Sequence, residues 1–339
     1  MLILSEQDLK SILVVPDVID AVEHGFRALG RGDVRVPERL HLEVPDAGGV
    51  LLEMPAYARS LSPSASLERG ALGTKVVSVF KRNFERGIDS VQSVYLLLDS
   101  ETGEPLALME GRFLTAIRTA ATSALATRLM ATPGPRRLAV FGAGVQARFH
   151  IDALAAVEET ESVMLVSRTE SRAAALAERV RSVHNIPCEI TSAIEAVEKA
   201  NLICTCTTSE NPLFDGRLIR PGTHINAVGA FTPQSRELDT EAVRRARVII
   251  DSESAAGREA GETLIPILEG AIGLDHIKGT LSDVVLGKVA GRESAEEITI
   301  FKSSGLAIED LVTAQLAFDR ARASGIGAQV ELTREGGGH

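Results

Sequence analysis

An α/β fold, a doubly wound parallel sheet joined to a separate α+β domain, is predicted by three features of this 339-residue chain. From residue 36 to residue 109, apolar residues recur with a strand-like period and no helical stretch intervenes, which implies a mostly antiparallel sheet. From residue 138 to residue 251, strand-like and helical patterns alternate strictly, as in a parallel sheet wound with helices. Where that alternation begins, Leu138-Ala139-Val140-Phe141 runs straight into Gly142-Ala143-Gly144-Val145-Gln146-Ala147, and a helical pattern follows with Ala153, Leu154 and Val157 on one side.

Each element has a local cause. Ser5-Glu6-Gln7-Asp8 reads as a capping box that starts a short helix. Asp17 is expected to open a second helix through Phe26 and Leu29, stopped by Gly30 and Gly32. Strands are expected at residues 39–44, 50–55, 74–80 and 91–98, and Asp99-Ser100-Glu101-Thr102-Gly103 turns the chain into a strand at 105–109. An Ala-rich helix over 115–130, ending near Pro133-Gly134-Pro135, is expected to cross between the two parts. Beyond it come strands at 138–141, 163–167, 188–191 and 202–207, with a helix at 171–183 between two of them. Strands at 224–228 and 248–251 continue the series. A strand at 298–301, a Ser303-Ser304-Gly305 turn and a helix over 306–323 close the chain, and that helix is expected to return to the first domain. The glycines at 336–338 read as a disordered tail. The domains are therefore expected to be 1–117 with 306–330, and 118–305.

Composition narrows the function classes. An apolar content of 45% with 24% charged residues is that of a soluble globular protein with a sizeable core. A net charge of −10, with no basic stripe, argues against a nucleic-acid partner. No apolar run approaches the length of a membrane span, and the N-terminus has neither the basic region nor the cleavage pattern of a signal peptide. Cys188, Cys204 and Cys206 are an odd set without metal-ligand spacing, which points to reduced thiols in a cytoplasmic protein and to no catalytic metal.

The turn at 142–147 has the form of a dinucleotide site in a Rossmann-type domain. Gly142 permits the tight turn, Gly144 lets a pyrophosphate approach the backbone, and Ala147 lets helix and strand pack closely. Val145 and Gln146 open the helix, whose free N–H groups and dipole favour phosphate charge. The second strand ends in Ser167-Arg168-Thr169, with Arg172 one helical turn on, rather than in the acid that bonds an unphosphorylated ribose. Guanidinium groups there suit a 2′-phosphate, so NADPH is the expected cofactor and NADH a weaker one. Thr207 and Thr208 end the fourth strand, and Val228 and Gly229 the fifth, where open α/β sheets bind their ligands. His150 and His224 lack an evident carboxylate partner and are read as structural.

Several stretches resemble the ornithine cyclodeaminase/mu-crystallin family: Leu114-Thr-Ala-Ile-Arg118-Thr-Ala-Ala-Thr-Ser123, the glycine turn, and His224-Ile-Asn-Ala-Val-Gly229. So do Arg236-Glu-Leu-Asp239 and Phe301-Lys-Ser-Ser-Gly-Leu-Ala-Ile-Glu-Asp310. The resemblance implies a homodimer whose substrate domains join their sheets, and small α-amino or α-imino acids as substrates. It also implies a carboxylate-binding set at Arg39, Lys75 and Arg118, and a cofactor contact at Thr119 beside it. Lys75 draws attention independently, because an unpaired charge in the apolar strand Leu72-Gly-Thr-Lys-Val-Val is expensive. One departure matters: the cyclodeaminases carry an acid where this chain has Phe231, and Phe cannot position a distal amine.

The resulting expectation is an NADPH-dependent reductase of a cyclic ketimine, Δ1-pyrroline-2-carboxylate or Δ1-piperideine-2-carboxylate, giving L-proline or L-pipecolate. Lys75 or a nearby water is the expected proton source, Glu53 reads either as a catalytic group facing the nitrogen or as an edge-strand charge, and Phe231 is an expected apolar wall for the ring. Competing readings are ornithine cyclodeaminase, an alanine or opine-type dehydrogenase, and a non-catalytic NADPH-dependent binding protein.

Overall fold

The computed structural model describes residues 1–59, 70–252 and 260–332; the glycine tail at 336–338 lies outside them. The chain divides into two compact units, Met1–Arg118 with Leu306–His339, and Thr119–Gly305. The division falls within one helix. Among the described residues, no helix is long and apolar enough to cross a membrane.

The first unit is a sheet with helices on one face. Its strands are β1 (Leu2–Leu4), β2 (Val34–Arg35), β3 (Leu40–Val44), β4 (Gly49–Ala58), β5 (Ala71–Phe80), β6 (Val91–Asp99) and β7 (Pro105–Glu110), with a last short strand, Ala328–Gln329. β4 to β7 form an antiparallel run, and β2 and β3 both pair with β4. β1 pairs in parallel with β7, an element the sequence pattern did not reveal because three residues are too few to show a period. Helix α1 (Glu6–Ile12) starts at Ser5 with the expected capping box. Helix α2 (Val15–Gly30) begins two residues ahead of Asp17, because Pro16 is well suited to a first helical turn. α2 packs on the C-terminal helix, Ala307–Ser324, at Gly25, where a Cβ would lie 3.0 Å from a Val312 methyl. The C-terminal helix in turn covers β4, β5 and β6.

Register decides which side chains meet those helices. Met54 lies opposite Lys75, and Lys75 opposite Tyr95, so these three share the buried face with Leu52, Ala56, Leu97 and Met109. The other face carries Leu40, Leu42, Tyr57 and Val94, all exposed.

The second unit is a parallel sheet. Helix α3 (Gly111–Met130) leads into β8 (Arg136–Phe141), α4 (Val145–Val157), β9 (Thr160–Val166), α5 (Glu170–Arg179), β10 (Cys188–Ile190), α6 (Ala193–Lys199), β11 (Leu202–Thr205) and β12 (His224–Ala227). Then come α7 (Thr240–Arg245), β13 (Ala246–Ile250), α8 (Gly261–Leu268), β14 (Ile277–Thr280), α9 (Leu281–Val285) and β15 (Ile298–Lys302). The strand order is β10-β9-β8-β11-β12-β15-β13-β14, and every pair is parallel. This is the doubly wound, Rossmann-type arrangement.

β15, the last strand of this unit, inserts between β12 and β13 and is buried along its whole length. Two expectations need adjustment. The fourth strand stops at Thr205, so Thr207 and Thr208 lie in the loop beyond it. The helix expected to reach residue 183 ends at Arg179 and passes into a π turn, Val180–His184, terminated by the left-handed Asn185.

Candidate active site

In the first unit, Lys75 and Arg118 are brought together by two acids from the C-terminal helix. Lys75 Nζ donates to Asp310 Oδ2 at 2.8 Å, and Arg118 Nε donates to Asp310 Oδ1 at 2.9 Å. Arg118 Nη1 donates to Glu309 Oε2 at 2.9 Å, while Glu309 Oε1 accepts the Leu306 N–H at 2.8 Å and caps the helix. Side-chain exposure in this cluster does not exceed 5%. Two cations thus face two carboxylates away from water, where each charge depends on its partners.

Burial moves the Lys75 ammonium down to about 8, with Arg118 pushing the same way and Asp310 opposing. Burial also works against the Arg118 guanidinium, but Asp310 and Glu309 hold it charged and raise its pKa. Tyr95 stands opposite Lys75, leaning over Gly73, where a Cβ would meet its hydroxyl at 2.6 Å. That hydroxyl is buried without a hydrogen-bond partner among the described residues.

Glu53 does not join this cluster. It pairs with Val76, and strand alternation puts it on the face opposite Lys75, where Thr74 donates to it at 3.4 Å. The expectation that it faces a reacting nitrogen beside Lys75 is therefore corrected. Arg39 is half-buried just ahead of β3. From the sequence, Asp310 reads either as an acid approaching the active-site mouth or as an ordinary helix N-terminal acid, and Glu309 was not picked, because an acidic pair at the start of an otherwise apolar helical stretch needs no functional reason.

In the second unit, the glycine turn closes β8 onto α4. Gly142 has φ +110, and a Cβ there would lie 2.7 Å from the Cys206 carbonyl oxygen, so both conformation and space require glycine. Gly144 caps the thirteen-residue α4, and a Cβ there would meet no heavy atom within 4 Å, so the helix N-terminus is uncovered. Val145 is exposed, Gln146 half-buried and Ala147 fully buried against the sheet. At the end of β9, Ser167 Oγ accepts the Thr169 N–H at 3.2 Å, and Arg168 and Arg172 are both exposed. Thr119 is buried in α3.

The strand ends carrying Thr207 and Gly229 are joined by a residue the sequence did not single out for a role. Glu237 Oε1 accepts from both the N–H and the hydroxyl of Thr207 at 2.7 Å, and its Oε2 accepts the Gly229 N–H at 2.7 Å. Burial raises the Glu237 pKa, against the lowering effect of these bonds. Thr208 is exposed and Val228 half-buried in the same loops, and Phe231 is 49% exposed in the loop beyond β12. His150 bonds Ser123 Oγ at 2.9 Å and the Gln146 carbonyl at 2.8 Å, and burial lowers its pKa to about 4. His224 bonds Thr299 Oγ1 at 2.8 Å, and burial, with Arg292 adding, lowers it to about 3. Both are satisfied, neutral core groups.

A family model for ornithine cyclodeaminase/mu-crystallin proteins matches residues 1–325. The chain belongs to this family. Among its members, Δ1-pyrroline-2-carboxylate reductase of Bacillus cereus is 36% identical over 334 residues, covering 98% of this chain and all of that one. Mouse ketimine reductase mu-crystallin is 37% identical over 309 residues, covering 91% of this chain and 92% of that one. The structure of Thermococcus litoralis Δ1-pyrroline-2-carboxylate reductase, in complex with NADH and L-proline, superposes with a TM-score of 0.92 at 40% identity. That match covers 97% of this chain and all of the other. The stretches that carried the resemblance contain Arg118, Glu237 and Asp310.

Proposed function

We propose that this chain is an oxidoreductase acting on a C=N bond, reducing Δ1-pyrroline-2-carboxylate or Δ1-piperideine-2-carboxylate with NADPH to L-proline or L-pipecolate. The observation that carries this reading is the buried Lys75–Asp310–Arg118 cluster, in a chain whose relatives include Δ1-pyrroline-2-carboxylate and ketimine reductases. Lys75 uses one of its three N–H donors on Asp310, leaving donors for an imine nitrogen or a carboxylate oxygen. With a pKa of about 8, its ammonium is a stronger acid than an ordinary lysine and can give a proton to the nitrogen near neutral pH. Arg118 complements the substrate carboxylate and, held by Asp310 and Glu309, keeps one orientation.

The open N-terminus of α4 and the close turn at Gly142 fit a dinucleotide's phosphates. NADPH bound there supplies the hydride. Gly142, Gly144, Val145, Gln146 and Ala147 would hold the pyrophosphate, and Ser167, Arg168, Thr169 and Arg172 the 2′-phosphate. Thr207, Thr208, Val228 and Gly229 would face the nicotinamide end. The absence of an acid at Ser167 and Arg168 favours NADPH over NADH. Phe231, in place of a carboxylate, removes the group a cyclodeaminase needs. The exposed apolar face with Leu40, Leu42, Tyr57 and Val94 supports a homodimer formed sheet to sheet.

The test is NADPH oxidation with chemically prepared Δ1-pyrroline-2-carboxylate, beside parallel assays of ornithine with NAD and of pyruvate with ammonia and NADH. Turnover of the imine alone is expected. Proline formed from ornithine, or a requirement for free ammonia, would overturn the reading.

A further inference from the structure

Glu237, Glu262 and Lys302 meet behind the ends of β11 and β12. Glu237 holds Thr207 and Gly229 from the side, accepting three hydrogen bonds from them. Its own N–H donates to Glu262 Oε1 at 2.9 Å, and Glu262 Oε2 lies 3.2 Å from Lys302 Nζ. Lys302 donates to the carbonyl oxygens of Ala227 and Ala230, on either side of Gly229. All three charged side chains are at most 1% exposed. A Cβ on Gly229 would stand 2.1 Å from the Thr207 carbonyl oxygen and 2.6 Å from Glu237 Oε1, so the two strand ends meet at the closest distance the backbone allows.

A buried ionic network of this kind is poor value as mere scaffolding, since apolar residues of similar volume often serve stability as well or better. What it provides instead is direction. A carboxylate accepting backbone N–H groups from two strand ends sets their relative position more narrowly than apolar contact can. We infer that Glu237 is a positioning residue for the nicotinamide half of the bound dinucleotide, acting through Thr207 and Gly229. This rests on the dinucleotide reading proposed above. Glu262 and Lys302 complete the support, one fixing the Glu237 backbone and the other the carbonyls flanking Gly229.

The experiment compares two ligands on the full chain: NADPH, which carries the nicotinamide, and adenosine 2′,5′-bisphosphate, which does not. In Glu237→Gln, the amide keeps one acceptor and turns an N–H group toward a backbone donor. The dissociation constant for NADPH is expected to rise about ten-fold, and that for the bisphosphate to stay within about two-fold. Thr207→Val, which removes the hydroxyl donor to Glu237 and the acceptor of the Ser209 N–H, is expected to raise the NADPH constant by about three-fold in the same pattern. Equal weakening of both ligands would make Glu237 a purely structural residue and overturn the inference, as would no change in either. If Glu237→Gln does not fold, Thr207→Val decides, and an unchanged NADPH constant overturns the inference. A wild-type protein that binds neither NADPH nor NADH would instead overturn the dinucleotide reading, and this inference with it.

Discussion

The two units each bury a charge cluster, and the two clusters are built on opposite plans. In the first unit, Lys75 and Arg118 are matched by Asp310 and Glu309, side chain to side chain. In the second, Glu237 and Glu262 face the single ammonium of Lys302, and the balance comes from N–H groups of Thr207, Gly229 and Glu237 itself. The difference is one of purpose. Charges answered by other side chains leave a titrating group whose proton affinity can be set, as burial and its neighbours do for Lys75. Charges answered by the backbone fix the course of the chain. The first plan suits proton delivery, and the second suits holding a shape.

The sharpest way to break the contrast is Arg118→Met, which leaves Asp310 and Glu309 short of a partner. Steady-state kinetics should show kcat/KM for the imine lowered on the order of a thousand-fold, or about 4 kcal/mol, with NADPH affinity retained. Asp310→Asn probes the same cluster from its acidic side. Denaturant unfolding is expected to show a loss of about 3 kcal/mol, because two buried cations then share one acid. It also shifts the pH profile in a known direction. With Lys75 as the proposed proton donor, wild-type kcat should fall as pH rises through about 8. Asp310 raises the Lys75 pKa, so its removal should move that alkaline limb to lower pH.

In the second unit, the double variant Arg168→Ala with Arg172→Ala tests cofactor choice. KM for NADPH should rise about thirty-fold while KM for NADH stays within about two-fold, since only the former has a 2′-phosphate to lose. The smallest effect is expected from Glu53→Gln, which lies across the sheet from Lys75. Its kcat/KM should stay within about two-fold of wild type, the ordinary range for a change away from the reacting groups. A loss of a hundred-fold would restore Glu53 to the catalytic set and show that the face it occupies matters to the reaction.

What the sequence determined by itself was whatever has a local cause. Strand and helix periods, the capping box at Ser5 and the turn at Gly142 follow from neighbouring residues, and with them came the fold class and the parallel sheet. Lys75 stood out because a charge among apolar residues is costly wherever the chain folds, and Arg118 through the family resemblance. Tertiary structure alone decided the pairings. Asp310 lies 235 residues from Lys75, and in the first turn of a helix it carries the same local signal as any acid at a helix start. Glu53 was misplaced because alternation tells which residues share a face, whereas the register that sets Met54 opposite Lys75 forms across a long connection. β15 reads as one more strand in order, yet it inserts between β12 and β13. Short-range periodicity is written residue by residue, but register, strand order and the partners of buried charges are set only when distant segments compete for the same core.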